Sequence, residues 1–146
     1  MIRMIAGLLL VSIMCGCAST SQDTLRREQF EQLPNKYSQF DFKLAWSTRI
    51  TDTGVTVDGL IWNLRWQHAE SLEVWVALLD PEGQVLAKEA GLVIPNPLNI
   101  NEVSNFFVKL PLKPLTGSKL RFTYSYYGVD DQESSTFWMQ SFETVP

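Results

Sequence analysis

The sequence predicts an all-β protein, a single antiparallel β-sandwich of about seven strands over residues 37–146. Three observations carry this prediction. Apolar and polar residues alternate along several short segments, which is the pattern of half-buried strands. Turn residues separate these segments about every ten residues, and no long helical pattern interrupts them. Aromatic residues make up 12% of the chain, and their flat, stiff side chains favour a pleated surface.

The first three strands are predicted from the pattern of apolar residues. Residues 40–50 alternate throughout, and residues 55–63 follow after turn residues. Residues 72–79 are apolar at nearly every position, which predicts a strand in the middle of a sheet. In the second strand, Gly59 leaves room for a neighbouring chain, and the amide of Asn63 suits the backbone groups of a nearby loop.

The later strands are separated by turns and prolines. Asp80-Pro81-Glu82-Gly83 has proline early and glycine last, which predicts a turn and a hairpin into residues 84–90. Pro95-Asn96-Pro97 cannot continue a central strand, because proline donates no ladder hydrogen bond. Further strands are predicted at residues 105–110, 120–126 and 136–142.

The N-terminal segment has the order of a secretion signal. Arg3 supplies the basic region, and the apolar run that follows is about half of the roughly 20 residues that a membrane-spanning helix needs. Met14-Cys15-Gly16-Cys17 resembles a bacterial lipobox, the motif that the lipoprotein signal peptidase reads. The resemblance implies that residues 1–16 are a signal peptide and that Cys17 is the lipidation site, which receives a diacylglyceryl group and an N-linked acyl chain such as palmitate. Several acyl chains give a stable membrane anchor.

The resemblance also implies a place in the cell. The chain is expected in the cell envelope, with the membrane as a partner through the lipid on Cys17. Ala18 after the cysteine resembles the pattern sorted to the outer membrane, facing the periplasm, if the cell is Gram-negative. The alternative is an ordinary secreted protein. Residues 17–36 are predicted to be a tether, in which residues 25–33 favour a short helix before Pro34.

Strand and turn residues also carry a family resemblance. The positions concerned are Gly59-x-Ile61-x-Asn63, Leu72-x-Val74-x-Val76-x-Leu78, Asp80-x-x-Gly83-x-Val85 and Phe106-x-Val108-x-Leu110. In these positions the chain is similar to the immunoglobulin-like domains of the FxLYD type found in bacterial envelope proteins, over about residues 40–126. The resemblance implies an immunoglobulin-like antiparallel β-sandwich that is non-enzymatic and has no catalytic residues.

The composition argues against several classes of function. The net charge of −4 without a basic cluster disfavours nucleic acid as a partner. Phosphate-binding and dinucleotide motifs are absent from the sequence, and no cofactor is predicted. His68 is the one histidine and lies in a polar turn, which disfavours a catalytic triad. Asp130, Asp131 and Glu133 leave a calcium site or a carboxylate hydrolase open, although their spacing fits no EF-hand. The sequence therefore favours a protein that is not an enzyme.

The excess of aromatic residues suggests a binding function. The leading hypothesis is a binding or assembly module that contacts an envelope protein at the membrane surface. The alternative is a module that binds glycan or cell wall through exposed aromatic rings, and the simplest explanation is that tryptophans fill both faces of the sheets. The candidate partner-binding residues are Trp62, Trp66, Trp75 and Trp138.

Overall fold

The computed structural model describes residues 18–146, with side chains described from residue 22 onwards. The predicted signal peptide and lipidation at Cys17 therefore lie outside the described residues. One helix precedes nine strands. The elements are α1 Ala18–Gln32, β1 Asn35–Ser38, β2 Phe42–Thr51, β3 Gly54–Asn63, β4 His68–Leu79, β5 Val85–Ile94, β6 Leu98–Asn99, β7 Val103–Leu110, β8 Lys119–Val129 and β9 Ser135–Thr144.

The strands form two layers, and all paired strands are antiparallel. The first layer has the order β1-β2-β3-β7, and the second has the order β5-β4-β8-β9, with β6 also paired to β4. β5 belongs to both layers, because its first part pairs with β4 and residues 92–94 pair with β7. This strand order is that of an immunoglobulin-like sandwich, as predicted.

The core lies between the layers and is rich in aromatic residues. Gly59 is needed there, because a Cβ at this position would lie 2.2 Å from the Phe106 ring. The amide of Asn63 is fully buried and donates to the carbonyls of Trp66 and Leu98 at 2.8 and 3.0 Å, while its oxygen accepts two backbone N–H groups. Both residues therefore have the structural roles that the sequence indicated.

The structure contains all seven predicted strands and adds two. β1 and β6 have only four and two residues, too few for an alternating pattern to show. β4 lies between β5 and β8, in the middle of its sheet as predicted. His68 is the first residue of β4 and not part of a turn. The strand count is therefore nine instead of about seven.

The N-terminal region differs from the prediction. A helix occupies Ala18–Gln32, so most of the predicted tether is helical and the helix begins earlier than residue 25. Phe30 is buried and packs with Ala45, Leu60 and Val103 on the outer face of the first layer. The sequence of the helix is polar and shows little amphipathicity, so the helix gains little stability from its own sequence. Packing of Phe30 against the sheet therefore supplies the stabilisation.

The contacts of α1 define its direction. Arg26 and Arg27 donate to the carbonyls of Val103 and Asn101, at the start of β7 and in the loop before it. After the helix, β1 pairs first with Trp46 in the middle of β2 and then runs back towards Lys43. The N-terminus of α1 therefore points beyond the end of the sandwich at which β2 and β7 begin, which we call the Asp41 end. The loops of this end are residues 39–41, 64–67, 100–102 and 130–134.

Candidate functional site

Trp62 lies on the outer face of the first layer, where α1 covers it. The Phe30 ring packs edge-on against the indole, with the ring centroids 5.7 Å apart. Arg27 and Lys43 place their cationic groups 5.1 and 5.5 Å from the ring centroid. The indole is thus occupied by contacts within the chain.

Trp66 belongs to the core and not to an exposed aromatic patch, which corrects the expectation from the sequence. Its side chain is 7% exposed. The indole N–H donates to the Tyr126 hydroxyl at 2.9 Å, and Gly128 packs so closely that a Cβ there would lie 2.4 Å from the indole. No face of the ring is left for a partner.

A buried carboxylate organises this region. Asp41 is fully buried and accepts hydrogen bonds from the hydroxyls of Tyr126 and Tyr124 at 2.5 and 3.1 Å and from the N–H of Phe42 at 2.9 Å. Burial raises the pKa of both tyrosine hydroxyls far above the usual value, and the negative charge of Asp41 adds to the effect. Both hydroxyls therefore stay protonated as donors, and the network ties the loop before β2 to β8.

Trp138 lies on the inner side of β9. Its ring centroid is 5.5 Å from Phe40 and 6.1 Å from Trp66. The indole N–H is buried and has no hydrogen-bond partner among the described residues. The structure thus brings Trp66 and Trp138 together, but they pack against each other at the core and do not form an exposed patch.

Trp75 lies on the outer face of the second layer and is partly exposed. Its indole N–H donates to the Glu73 carboxylate at 3.0 Å, and the Lys88 ammonium lies 4.9 Å from the ring centroid. It borders a shallow pocket of about 360 Å³. The pocket is also lined by Ala77, Val85, Arg121, Thr123, Ser125, Met139 and Ser141.

Three large exposed side chains share this face with Trp75. Tyr127, Phe137 and Met139 are 47, 52 and 57% exposed. The rings of Tyr127 and Phe137 lie 5.3 Å apart, and Met139 shares the pocket with Trp75. We call these four residues the outer patch. Exposed apolar groups that lie together mark interaction surfaces more often than isolated ones do.

The sequence interpretation identified only Trp75 among the residues of the outer patch. A signal for Phe137 and Met139 was present, because Thr136–Phe142 has no charged residue, glycine or proline in seven positions. Such a segment is unusual for an exposed strand. The exposure of this segment does not follow from its sequence alone, because neighbouring strands determine which side of a segment faces solvent.

A second apolar surface lies beside α1. Leu92, Ile94 and Phe107 are exposed on the outer face of the first layer, in a groove of about 840 Å³. The helix side of the groove is formed by Arg26, Gln29, Gln32 and Leu33.

The charged candidates are dispersed. His68 lies 3.4 Å from Glu70, and the Asp130 carboxylate accepts the N–H groups of Gln132 and Ser134, both at 2.9 Å, within its own turn. Within residues 18–146, no group of three or more His, Cys, Asp or Glu residues is arranged to hold a metal ion. Over the same part of the chain, no helix is long and apolar enough to cross a membrane.

Comparisons with known proteins give only distant structural similarities. No family model and no curated protein matches the chain. The GAE domain of GGA2p from Saccharomyces cerevisiae is similar with a TM-score of 0.48 and 11% identity, over 75% of this chain and 96% of that one. A β-glucuronidase 2 from Bacteroides uniformis, covalently bound to cyclophellitol-6-carboxylate aziridine, is similar with a TM-score of 0.41 and 15% identity, over 77% of this chain. The chain spans only 14% of that enzyme.

These similarities carry no conclusion about function. The fold class is defined by the strand order of the chain itself, a single immunoglobulin-like β-sandwich with a helix packed on one face.

Proposed function

We propose that this protein is a lipid-anchored envelope protein whose sandwich is a non-catalytic module that binds another protein at the membrane surface. The observation that carries the proposal is the outer patch. Trp75, Tyr127, Phe137 and Met139 place aromatic and sulfur-containing side chains on one solvent-facing sheet surface. Aromatic residues and methionine are the types enriched where proteins bind each other.

The arrangement of titratable groups supports a binding role over a catalytic one. General acid–base chemistry needs a titratable group that is positioned within hydrogen-bond reach of the reacting substrate. The Asp130 carboxylate is instead occupied by the backbone of its own turn. Asp41 is fully buried beneath the Asp41 end, where its oxygens accept from tyrosine hydroxyls.

The anchor in this proposal is the lipid on Cys17, which the lipobox resemblance of residues 14–17 supports. The helix that begins at Ala18 is fixed to the first layer by Phe30 and by the hydrogen bonds of Arg26 and Arg27. The outer patch lies on the opposite layer, so the helix leaves it uncovered. The proposal thus assigns anchoring and binding to different faces of one domain.

The anchoring is tested by Cys17→Ala in the full chain expressed in its own cell type. We expect loss of labelled fatty-acid incorporation and accumulation of the unprocessed precursor. Cys15→Ala is the matched control and is expected to leave both unchanged. Normal incorporation in Cys17→Ala would refute the anchor.

The binding role is tested by photo-crosslinking in intact cells. A photo-reactive phenylalanine analogue at Phe137 is expected to give a discrete protein adduct, and the same analogue at Lys109, exposed on the other layer, serves as the control. An adduct specific to Phe137 and lost after Trp75→Ala supports the proposal. Absence of any adduct from Phe137, Met139 or Tyr127 would refute it.

A glycan is the second candidate ligand, because hydroxyl and guanidinium groups surround Trp75. Thr123, Ser141 and Arg121 line the same pocket as the indole, and such groups suit the hydroxyls of a sugar. Retention of the purified protein on cell-wall material, abolished by Trp75→Ala and unaffected by Phe137→Ala, would favour this candidate. No retention would remove it.

A further inference from the structure

β9 is the last strand of the second layer and has one neighbour. All ten of its residues, Ser135–Thr144, pair with β8, and no other pairing involves β9 among the described residues. A strand with a single neighbour presents a row of N–H and C=O groups without ladder partners. This row adjoins the outer patch, because Phe137 and Met139 belong to both.

The register identifies the free backbone groups. The N–H of Asp130 donates to the carbonyl of Ser134 at the start of the hairpin. In an antiparallel ladder, hydrogen-bonded and non-hydrogen-bonded pairs alternate. The next hydrogen-bonded pairs are therefore at Thr136, Trp138 and Gln140 on β9. The backbone groups of Phe137, Met139 and Ser141 consequently point away from β8, towards the open edge.

This edge lacks the features that usually prevent strand pairing. Thr136–Phe142 carries no charge, proline or glycine, and the strand has no bulge in its register with β8. Other edges of the sandwich differ. β5 carries Lys88 and Glu89 in its first part and then crosses to pair with β7. β1 covers the first part of β2, and Arg49 lies on the part beyond it. Charges and short edge strands are standard protection against pairing, and the part of β9 from Thr136 to Phe142 has neither.

We propose that β9 binds an extended segment of an envelope protein by β-strand addition. The segment pairs with the free backbone groups of Phe137, Met139 and Ser141, and its side chains contact the outer patch. This inference rests on the proposed function, for which it specifies the conformation of the bound partner. The free backbone groups indicate that the bound segment is an extended strand. A row of alternating donors and acceptors is matched by the backbone of another extended segment. The groove beside α1 offers apolar side chains without such a row.

A second copy of the chain fits this edge poorly when both copies are anchored. Symmetric pairing of two β9 edges is antiparallel, with a two-fold axis perpendicular to the sheet. The Asp41 ends of the two copies would then point in opposite directions. Because the N-terminus of α1 leaves the sandwich at the Asp41 end, the two Ala18 residues, each adjacent in sequence to the proposed anchor, would also lie at opposite ends. Two lipids in the same membrane leaflet are incompatible with that arrangement, so the occupant is a different protein.

The test compares Met139→Pro with Met139→Ala in the full anchored chain, with the photo-reactive analogue kept at Phe137. Proline removes the N–H that faces the open edge and places its ring there, while the ladder to β8 keeps its hydrogen bonds. Alanine shortens the side chain and keeps the N–H. Strand addition predicts that adduct yield falls about tenfold or more with proline and only about twofold with alanine, since proline also obstructs the incoming strand.

A second variant separates loss of binding from loss of folding. Ser141→Lys leaves the backbone unchanged and places a charge at the edge, where it opposes pairing. We expect the same loss of adduct as with proline, together with an unchanged thermal midpoint. Hydrogen exchange provides a direct readout, because the amides of Met139 and Ser141 are expected to exchange rapidly in the free chain and slowly in the crosslinked complex.

The outcomes distinguish this inference from the proposed function. An adduct that survives both Met139→Pro and Ser141→Lys overturns strand addition and leaves the binding function in place. Equal losses with proline and alanine indicate docking on side chains alone and also overturn it. An adduct with a second copy of this chain overturns the choice of partner. If no adduct forms at any position of the outer patch, the proposed function itself is refuted.

Discussion

Both outer faces of the sandwich carry apolar side chains, but α1 packs on only one of them. On the first layer, α1 covers Ala45, Leu60 and Val103, and Phe30 is buried against them. On the second layer, Phe137 and Met139 are more than half exposed, and nothing in the described chain covers them. The helix therefore covers part of the outer face of the first layer and leaves Leu92, Ile94 and Phe107 exposed, whereas no described element covers the outer face of the second layer, which we call the open face.

The comparison of the two layers shows that an uncovered outer face is not a requirement of this sheet architecture. The chain has a helix that protects apolar surface, and that helix packs on the layer away from the outer patch. Apolar groups left open beside an unprotected edge strand would favour aggregation unless they bind a partner. We therefore interpret the open face as a binding surface.

The largest predicted loss of stability comes from removing the contact by which α1 packs on the first layer. Phe30→Ala removes a side chain that is 2% exposed and packs on Trp62. We expect the free energy of unfolding to fall by about 3–5 kcal/mol, because burial of the ring is lost and a cavity remains. Urea unfolding of the purified domain measures this change. A loss comparable to that of an exposed residue would mean that α1 does not protect the first layer.

A smaller effect is predicted for the hydrogen bond that holds the helix. Arg26→Ala removes the donor to the carbonyl of Val103, a bond of 3.1 Å that is partly buried. The expected loss of stability is about 1 kcal/mol, the usual net contribution of such a bond. Arg26→Lys is the matched control, since it keeps the charge and removes the guanidinium geometry. Full stability in Arg26→Ala would show that this hydrogen bond does not contribute to holding the helix.

A substitution on the outer face of the second layer is predicted to change the free energy of unfolding much less. Phe137→Ser removes a ring that is 52% exposed and lies beside Tyr127. Stability is expected to change by no more than about 0.5 kcal/mol, as is usual for exposed positions. The adduct formed by the same photo-reactive analogue placed at Met139 is expected to be lost. A loss of stability as large as that of Phe30→Ala would contradict the distinction between the two faces.

The smallest predicted effect concerns the charges at the far end of the open face. The carboxylate of Glu143 accepts hydrogen bonds from Arg121 at 2.8 and 3.1 Å and from Lys119 at 3.3 Å, which lower its pKa below the ordinary value of 4.5. A carboxyl with a lowered pKa in the folded state stabilises the fold above its unfolded pKa and loses that contribution as the pH falls through the folded pKa.

This prediction is measured by following stability against pH in the original chain and in Glu143→Gln. The difference between the two is expected to be small, because the group is exposed, and to vanish as the pH falls through the lowered pKa of Glu143 in the folded chain. A difference that grows on acidification would have the wrong sign for this interpretation.

The strands could be predicted because their physical signals are local. Residues 42–51 and 54–63 alternate in the sequence, and Asp80–Gly83 specifies its turn without help from the rest of the chain. β1 could not be predicted in this way, since four residues beside Pro34 show no period. The extent of α1 could not be predicted either, because the helix is stabilised by packing of Phe30 on a distant part of the chain.

The candidate site was less predictable than the fold. Trp75 was identified from its residue type, but Trp62 and Trp66 have the same type and are occupied by α1 and by Tyr126. Exposure depends on which strand is last in a sheet, and this order is set by pairing between distant segments. Lipidation at Cys17 and the FxLYD resemblance remain predictions from sequence motifs.

The helical structure of α1 also limits how far the sandwich can lie from the proposed membrane anchor. A helix of 15 residues is about 22 Å long, whereas a flexible linker of the same length can extend to about 50 Å. Under the proposed anchoring, the sandwich stays within a thin layer above the lipid headgroups and cannot sample the full depth of the compartment. Under the proposed strand addition, a partner must therefore bring its strand into that layer.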